Sequence, residues 1–401
     1  MNLVLFAHPA FLGSQSQPRF ARMLHDAYRE RGHRVEIRQP RARLRRLVGE
    51  GRLAKWAGYV DQYIAFPREL RPRLAQDPED TLYVFCDQAL GPWVPLVAGR
   101  PHVVHCHDLL ALRSALGQVP ENPTSITGRA YQRYIRAGFR QARHFISISA
   151  RTRDDLHRFG AVDALTSEVV YNGLNFDYRR LEPQAAAQVL QAAGLRVGAA
   201  GFLLHVGGGQ WYKNTAGVLA IYARLVARLR SVGAAVPALW LLSPAPGQRL
   251  QGALRAVPEG GAVRFLPSVP DEVLQALYSA ARVFLFPSLA EGFGWPIAEA
   301  LACGCPVVTT ADAPMTEVGG SCAHYLPRLM PQDDVMAWAE RGATLVALLI
   351  GRRAEDAGTA ARAASEWVAR FDAAGAVDRY LQIYASVLTR YRQGEPREND
   401  E

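Results

Sequence analysis

The chain has 401 residues, enough for two domains or three at about 150 residues each. Hydrophobic residues make up 49% and charged residues 21%, a balance that excludes disorder over most of the length. The formal net charge of +9 sits in one half, since residues 1–180 carry 27 Lys and Arg against 17 Asp and Glu, and residues 181–401 carry 19 against 20.

The longest apolar runs, such as Leu345 to Ile350, reach less than half of the ~20 residues needed to span a bilayer. The opening Met1-Asn-Leu-Val-Leu-Phe6 lacks the basic region and small-residue cleavage site of a secretory signal. Cys86, Cys106, Cys303, Cys305 and Cys322 are few and odd in number, which argues for a reducing compartment over a disulfide framework. The expected location is therefore cytoplasmic.

In chain order, Leu3 to Phe6 reads as a buried parallel strand. Gly13 lies in the loop after it. Phe20, Met23, Leu24, Ala27 and Tyr28 then form one face of a helix that Gly32 closes. Val35 and Ile37 begin a second strand. Further strands are expected at Leu82 to Phe85, Val103-Val104, Phe145 to Ile148 and Val169 to Tyr171, with helix-compatible stretches between several of them. Residues 175–200 read as a polar, Ala-rich connector. The pattern restarts at Phe202 to Val206 and continues through a helix marked by Val218, Ile221, Tyr222, Leu225, Val226 and Leu229. Leu239 to Leu242, Val263 to Leu266, Val283 to Phe286 and Val307-Val308 follow as strands. A last helix carries Val377, Tyr380, Leu381, Tyr384, Leu388 and Tyr391, and a frayed polar tail is expected after Gln393. This rhythm predicts an α/β protein of two doubly wound domains, with ligands outside the carboxyl ends of the strands.

Within the basic half, Arg38, Arg41, Arg43, Arg45, Arg46, Arg52 and Lys55 crowd eighteen residues against one acid, Glu50. Such a run attracts anionic lipid at about 1 kcal/mol per residue near a charged surface; the alternative is a solvated helix face or loop. Nucleic acid is not expected, because the run lacks interleaved aromatics other than Trp56 and no recognised binding motif is present.

The most informative segment is Pro287-Ser-Leu-Ala-Glu291-Gly-Phe-Gly-Trp-Pro-Ile-Ala-Glu299-Ala300, which follows the strand Val283 to Phe286. Gly292 and Gly294 allow backbone to approach a ligand, Pro296 suits the first helical position, and free amides at a helix start favour phosphate. Glu291 before the helix and Glu299 in its first turn can face one crevice, where carboxylates suit vicinal hydroxyls. The competing role for both acids is to complement the helix dipole. A second anion cradle is outlined by His205-Val-Gly-Gly-Gly209-Gln-Trp-Tyr-Lys213-Asn214, which holds one of only two lysines but matches neither a Walker loop nor GxGxxG. In the first half, His105-Cys-His107-Asp108 ends a strand. His107 beside an acid suits proton transfer or substrate binding, the spacing is poor for zinc, and a buried histidine bonded to backbone is the plainer reading. Cys303-Gly-Cys305 is best explained by buried thiols.

Together these residues resemble the retaining glycosyltransferases of family four, which have the GT-B fold. Glu291 and Glu299 match that family's E-x7-E element, with Pro287-Ser288 before it and Gly304-Cys-Pro306 after it. Asp271 to Ala281, Ala311 to Gly320 and the turn Tyr171-Asn172-Gly173 fit the same context. The resemblance implies an acceptor-side Rossmann-like domain over 1–178, a nucleotide-sugar-binding one over 179–375, and a helix in 376–401 returning to the first across a central cleft. It implies that Glu299 binds the nucleotide ribose and Glu291 the transferred sugar. Gly209, Gly292, Phe293, Gly294 and Trp295 would line the donor, and Lys213 would neutralise the departing diphosphate. His107 would reach the donor from the opposite domain, and Gly13 and Asp108 would lie on the acceptor side. No metal or cofactor is implied. Two departures stand out: Gly208 occupies the place of a family arginine, and Trp295 replaces a leucine, which would narrow the donor pocket.

The expected activity is transfer of a hexose, with mannose favoured, from a GDP- or UDP-linked donor to a lipid-linked or polysaccharide-precursor glycan at the inner membrane face. The alternatives are a non-catalytic sugar-nucleotide-binding protein, which Gly208 favours, and a sugar-nucleotide epimerase.

Overall fold

The computed structural model describes residues 1–12, 16–49, 51–352 and 354–394. The chain divides into two compact units, Met1–Tyr171 with Ala374–Glu401, and Asn172–Ala373.

The first unit is built on six parallel strands: β1 (Asn2–Phe6), β2 (Arg34–Arg38), β3 (Thr81–Phe85), β4 (His102–Cys106), β5 (His144–Ser147) and β6 (Thr166–Val169), in the order β2-β1-β3-β4-β5-β6. β1 and β3 run side by side from Asn2 opposite Thr81 to Phe6 opposite Phe85. The near-continuous apolar composition of β1, β3 and β4 follows from burial on both faces. On one face Phe6, Phe85, Trp93 and Phe139 pack together. On the other, the final helix Ala373–Arg392 inserts Val377, Tyr380, Ile383 and Tyr384 against Leu3, Leu5 and Tyr28 of the same unit. The hydroxyl of Tyr384 meets that of Tyr28 at 3.0 Å and His105 Nε2 at 2.6 Å, which satisfies three buried polar groups at once.

The second unit carries β7 (Phe202–Val206), β8 (Ala238–Leu242), β9 (Val263–Leu266), β10 (Val283–Phe286), β11 (Val307–Thr310) and β12 (His324–Leu326), also all parallel, in the order β12-β11-β10-β7-β8-β9. The helices Thr215–Ser231 and Val335–Ile350 cover one face, burying Val218, Ile221, Leu225, Trp338 and Val346.

In each sheet the strand order reverses beside its first strand, between β1 and β3 and between β7 and β10. These two switch points open crevices at the carboxyl ends, where doubly wound sheets take their ligands.

Several expectations are corrected. Residues 175–200 are not a plain connector, because Pro183–Ala192 is a helix that buries Ala186 and Leu190 one turn apart. β6 lies earlier than Val169 to Tyr171, and β12 was not anticipated. Pro296 occupies the second position of the helix Trp295–Ala302, after Gly294 as N-cap, and Glu299 falls in its second turn. The tail from residue 395 onward lies outside the described residues.

Candidate active site

At the switch point of the second unit, the loop after β7 meets the loop after β10. The first loop passes Gly209, in the left-handed region at φ +81°, and a single turn Trp211–Lys213. Asn214 then caps the helix Thr215–Ser231, with its side-chain oxygen accepting from the Gly217 amide at 3.2 Å and its amide donating to the Pro287 carbonyl at 3.0 Å. Asn214 adopts φ +53°, a conformation asparagine tolerates better than most residues. The backbone amide of Leu289 donates to the Tyr212 carbonyl at 2.7 Å and completes the link between the loops.

This scaffold places Lys213 Nζ 2.8 Å from Glu291 Oε1, with only 13% and 9% of the two side chains exposed. Ser288 Oγ lies 2.6 Å from the same carboxylate oxygen and 2.8 Å from the Tyr212 carbonyl, so its single proton is shared between them. The ammonium also stands over the Phe286 ring, 4.6 Å from its centroid. A desolvated cation held beside a carboxylate and open to a crevice can neutralise an incoming anion more effectively than a solvated one.

Gly292, Phe293, Gly294 and Trp295 lead from Glu291 into the helix Trp295–Ala302. Gly294 takes φ +99°, which a side chain would resist, and this turns the chain into the helix. The side chain of Phe293 is buried against Phe371 at 5.4 Å, which turns it away from the crevice. Trp295 donates from its indole to the Gly173 carbonyl at 3.0 Å, tying the helix start to the turn after β6. Glu299 is buried and accepts from the Tyr278 hydroxyl at 3.0 Å. Gly208 leaves its place to the end of the Gln210 side chain, which a Cβ would meet at 2.7 Å. A second cation on this edge, Arg328, follows β12 and donates from Nε to the Leu289 carbonyl at 2.9 Å.

The candidates of the first unit sit differently. His107 is buried, donates from Nε2 to the Cys86 carbonyl at 2.9 Å and rests edge-on against Phe20 at 4.6 Å. Burial lowers its pKa and keeps the imidazole neutral. The Asp108 side chain accepts from the Leu110 amide at 2.9 Å, while its carbonyl takes the Gln88 amide. Gly13 lies outside the described residues. His105 belongs to the core, its pKa driven down to about 3 by burial. Cys303 and Cys305 are buried, and burial pushes the Cys303 thiol up to about 12, as expected of packing thiols.

Sequence reasoning assigned no role to three groups that hold the site: Ser288, Tyr278 and Arg328. Ser288 three residues before Glu291 was a readable signal, whereas Tyr278 and Arg328 reach the site from separate elements.

Comparisons with known proteins agree with this geometry. Residues 17–178 match the family described as Glycosyltransferase Family 4, and residues 202–347 match Glycosyl transferases group 1. The O-antigen chain mannosyltransferase B of Escherichia coli is 31% identical over 228 residues, which is 53% of this chain and 57% of that protein. The chain thus spans little more than half of that relative's length. Among solved structures, sucrose-phosphate synthase from Thermosynechococcus elongatus superposes over 97% of this chain and all of its own (100%), with a TM-score of 0.70 at 19% identity. Anabaena HepE in complex with UDP covers 96% of this chain and 100% of its own, with a TM-score of 0.65 at 16% identity. At these identities the likeness establishes the GT-B fold.

Proposed function

The chain belongs to the glycosyltransferases of group 1 and family 4, and on that premise we propose that it moves a hexose, mannose, from a nucleoside diphosphate sugar to a lipid-linked or polysaccharide-precursor glycan, with retention at the anomeric carbon. The observation that carries this reading is the buried pairing of Lys213 with Glu291 at the β7/β10 switch point, inside the E-x7-E element.

In the resting chain Glu291 neutralises Lys213. A donor diphosphate brings more negative charge than one carboxylate and draws the ammonium to itself, while Ser288 continues to hold Glu291. The sugar then lies between Glu291 and the amides of Gly292 to Trp295, with the ribose hydroxyls on Glu299. As the anomeric carbon–oxygen bond breaks, charge accumulates on the diphosphate, and Lys213 stabilises it where water is excluded. This cation and the helix-start amides provide the stabilisation in a reaction that needs no metal. The name of the Escherichia coli relative supports mannose and a polysaccharide-precursor acceptor. The UDP carried by a solved relative supports a nucleotide donor, with GDP favoured by the mannose reading.

The acceptor's lipid end fits a membrane surface contacted by the first unit. Arg41, Arg46 and Lys55 are exposed there beside Leu47 (75% exposed), Leu53 (75%) and Trp56 (64%). Arg38 does not contribute to that surface, because it is buried and paired with Asp77 at 2.6 Å and Glu36 at 2.8 Å. Among the described residues no helix is long and apolar enough to cross a membrane. A peripheral position on the inner face accounts for both features.

The reading is tested by incubating the protein with GDP-mannose or UDP-glucose and a panel of octyl glycosides in the presence of EDTA, following nucleoside diphosphate release and acceptor mass. A hexose-sized mass gain that Lys213→Ala abolishes supports it. Absence of any glycosylated product with every donor contradicts it.

A further inference from the structure

The second unit holds a cavity at the end of its sheet opposite the Lys213–Glu291 pair. All six of its strands run parallel, so the loops that follow β7 and β10 lie at one end and the starts of β10, β11 and β12 at the other. The cavity has a volume of about 250 Å³. Arg282, just before β10, and His324, at the start of β12, face it together with Arg180 and Arg352. Alanines of the helix Ala354–Val368 form much of the opposite wall.

The charge of this lining is one-sided. It holds three arginines and a histidine and no aspartate or glutamate. Residues 181–401 carry 19 basic against 20 acidic side chains, so the excess is local to the cavity. Among the described residues none of the three guanidinium groups has a carboxylate partner. Arg282 donates from Nη2 to the Ile350 carbonyl at 2.9 Å, which anchors the group without neutralising it. Arg180 passes over Gly304, where φ is +69° and a Cβ would stand 3.1 Å from Arg180 Cδ. Glycine at that helix end therefore leaves room for the arginine stem. His324 makes no hydrogen bond among the described residues, and burial and the charge of Arg352 lower its pKa. Its ring is neutral near pH 7 and keeps an N–H to donate.

Cations gathered without counter-charge repel one another, and an anion seated among them removes that repulsion. Guanidinium groups bind phosphate oxygens two at a time, and one phosphate dianion can serve several of them. The volume falls below the ~300–1,000 Å³ of most ligand pockets, which restricts the occupant to a small molecule. We propose that this cavity is a second anion site of the chain, taking a phosphate dianion that is either free or carried as a monoester on a sugar. Arg180, Arg282 and Arg352 hold the phosphate oxygens, and His324 donates beside them. The site is separate from the nucleotide-sugar crevice and stands whether or not the chain transfers a sugar.

Cys322 lines the cavity and is partly exposed, whereas Cys86, Cys106, Cys303 and Cys305 are buried. Its alkylation by iodoacetamide therefore reports on this site. The rate is followed by mass spectrometry at constant ionic strength with inorganic phosphate, glucose 6-phosphate, glucose or sodium chloride. A bound phosphate is expected to slow alkylation about 10-fold at about ten times its dissociation constant, while glucose and chloride leave the rate unchanged. Equal protection by the two phosphates supports the site and assigns the free ion. Stronger protection by glucose 6-phosphate supports it and assigns the sugar ester. Arg180→Gln combined with Arg352→Gln is expected to abolish protection, and Lys213→Ala to preserve it. Both arginines are exposed, so the double variant keeps the wild-type melting temperature, and the wild-type titration tests the site without any variant. A rate that neither phosphate changes at about 10 mM, roughly tenfold above ordinary substrate levels, overturns the proposal. Protection that survives in the double variant overturns it as well. Loss of protection in a folded Lys213→Ala moves the anion to the nucleotide crevice and likewise overturns the second site.

Discussion

At the scale of single residues, the second unit's site depends on buried acids held by named side chains. Glu299 accepts from the Tyr278 hydroxyl, and its assigned partner in the donor is the ribose. Glu299→Ala is expected to weaken nucleoside diphosphate binding about 10- to 100-fold, the range for hydrogen bonds to a charged group. Titration calorimetry checks this, and an unchanged dissociation constant would remove Glu299 from the ribose. Lys213 and the two glutamates were each legible from a local strand-to-helix turn, the first after β7 and the others after β10, but their pairing across 78 positions was not. Tyr278 was not legible, since its contact with Glu299 exists only once separate helices have packed. The place of Trp295 was readable, but its indole bond to Gly173 depends on where the turn after β6 comes to lie.

At the scale of elements, apolar runs bounded by turn residues located most strands to within a residue or two, because strands buried on both faces permit few polar positions. The helix Pro183–Ala192 escaped because alanine and glutamine fill most of it, and only Ala186 and Leu190 mark its buried side. β12 has three residues, too few to establish a period. A close approach that sequence cannot announce occurs where the helix Ile126–Phe139 meets the segment Gln88–Val97. A Cβ on Gly138 would stand 2.2 Å from the Gly91 carbonyl oxygen, and one on Gly91 2.5 Å from that of Ile135. Both obstacles are backbone, so Gly138→Ala must push the elements apart at a cost of about 1–3 kcal/mol or more. The expected result is a lower urea midpoint with an unchanged slope, and a wild-type midpoint would contradict the packing.

At the scale of the whole molecule, charge and protonation set the testable behaviour. Among the basic side chains of the first unit, Arg43 shares its charge with Glu69 at 2.9 Å, while Arg41 and Arg46 stand exposed beside apolar residues. Reversing Arg41, Arg43, Arg45 and Arg46 to glutamate is expected to abolish co-sedimentation with phosphatidylglycerol vesicles at low salt. Undiminished sedimentation would remove this surface from membrane binding.

Both units also bury neutral histidines. His144 in the first and His205 in the second are held at about 4, and His105 at about 3, in each case through burial. Unfolded, they titrate near ~6.5, so between that pH and about 4 the unfolded chain binds more protons than the folded one. Stability is therefore complete above pH ~6.5 and falls as the solution is acidified toward 4, at up to about 1.4 kcal/mol per pH unit for each histidine. A melting temperature that rises on acidification over this window would contradict these assignments.

The central claim is that Lys213 and the E-x7-E loop form a nucleotide-sugar site. The most direct measurement is the thermal shift of the wild type and Lys213→Ala with UDP, GDP and their hexose conjugates. A ligand present at about 100 times its dissociation constant adds ~2.7 kcal/mol to the folded state, a readable rise in melting temperature. The prediction is that one nucleotide series stabilises the wild type and fails to stabilise Lys213→Ala. Equal stabilisation of both proteins, or of neither, would contradict it.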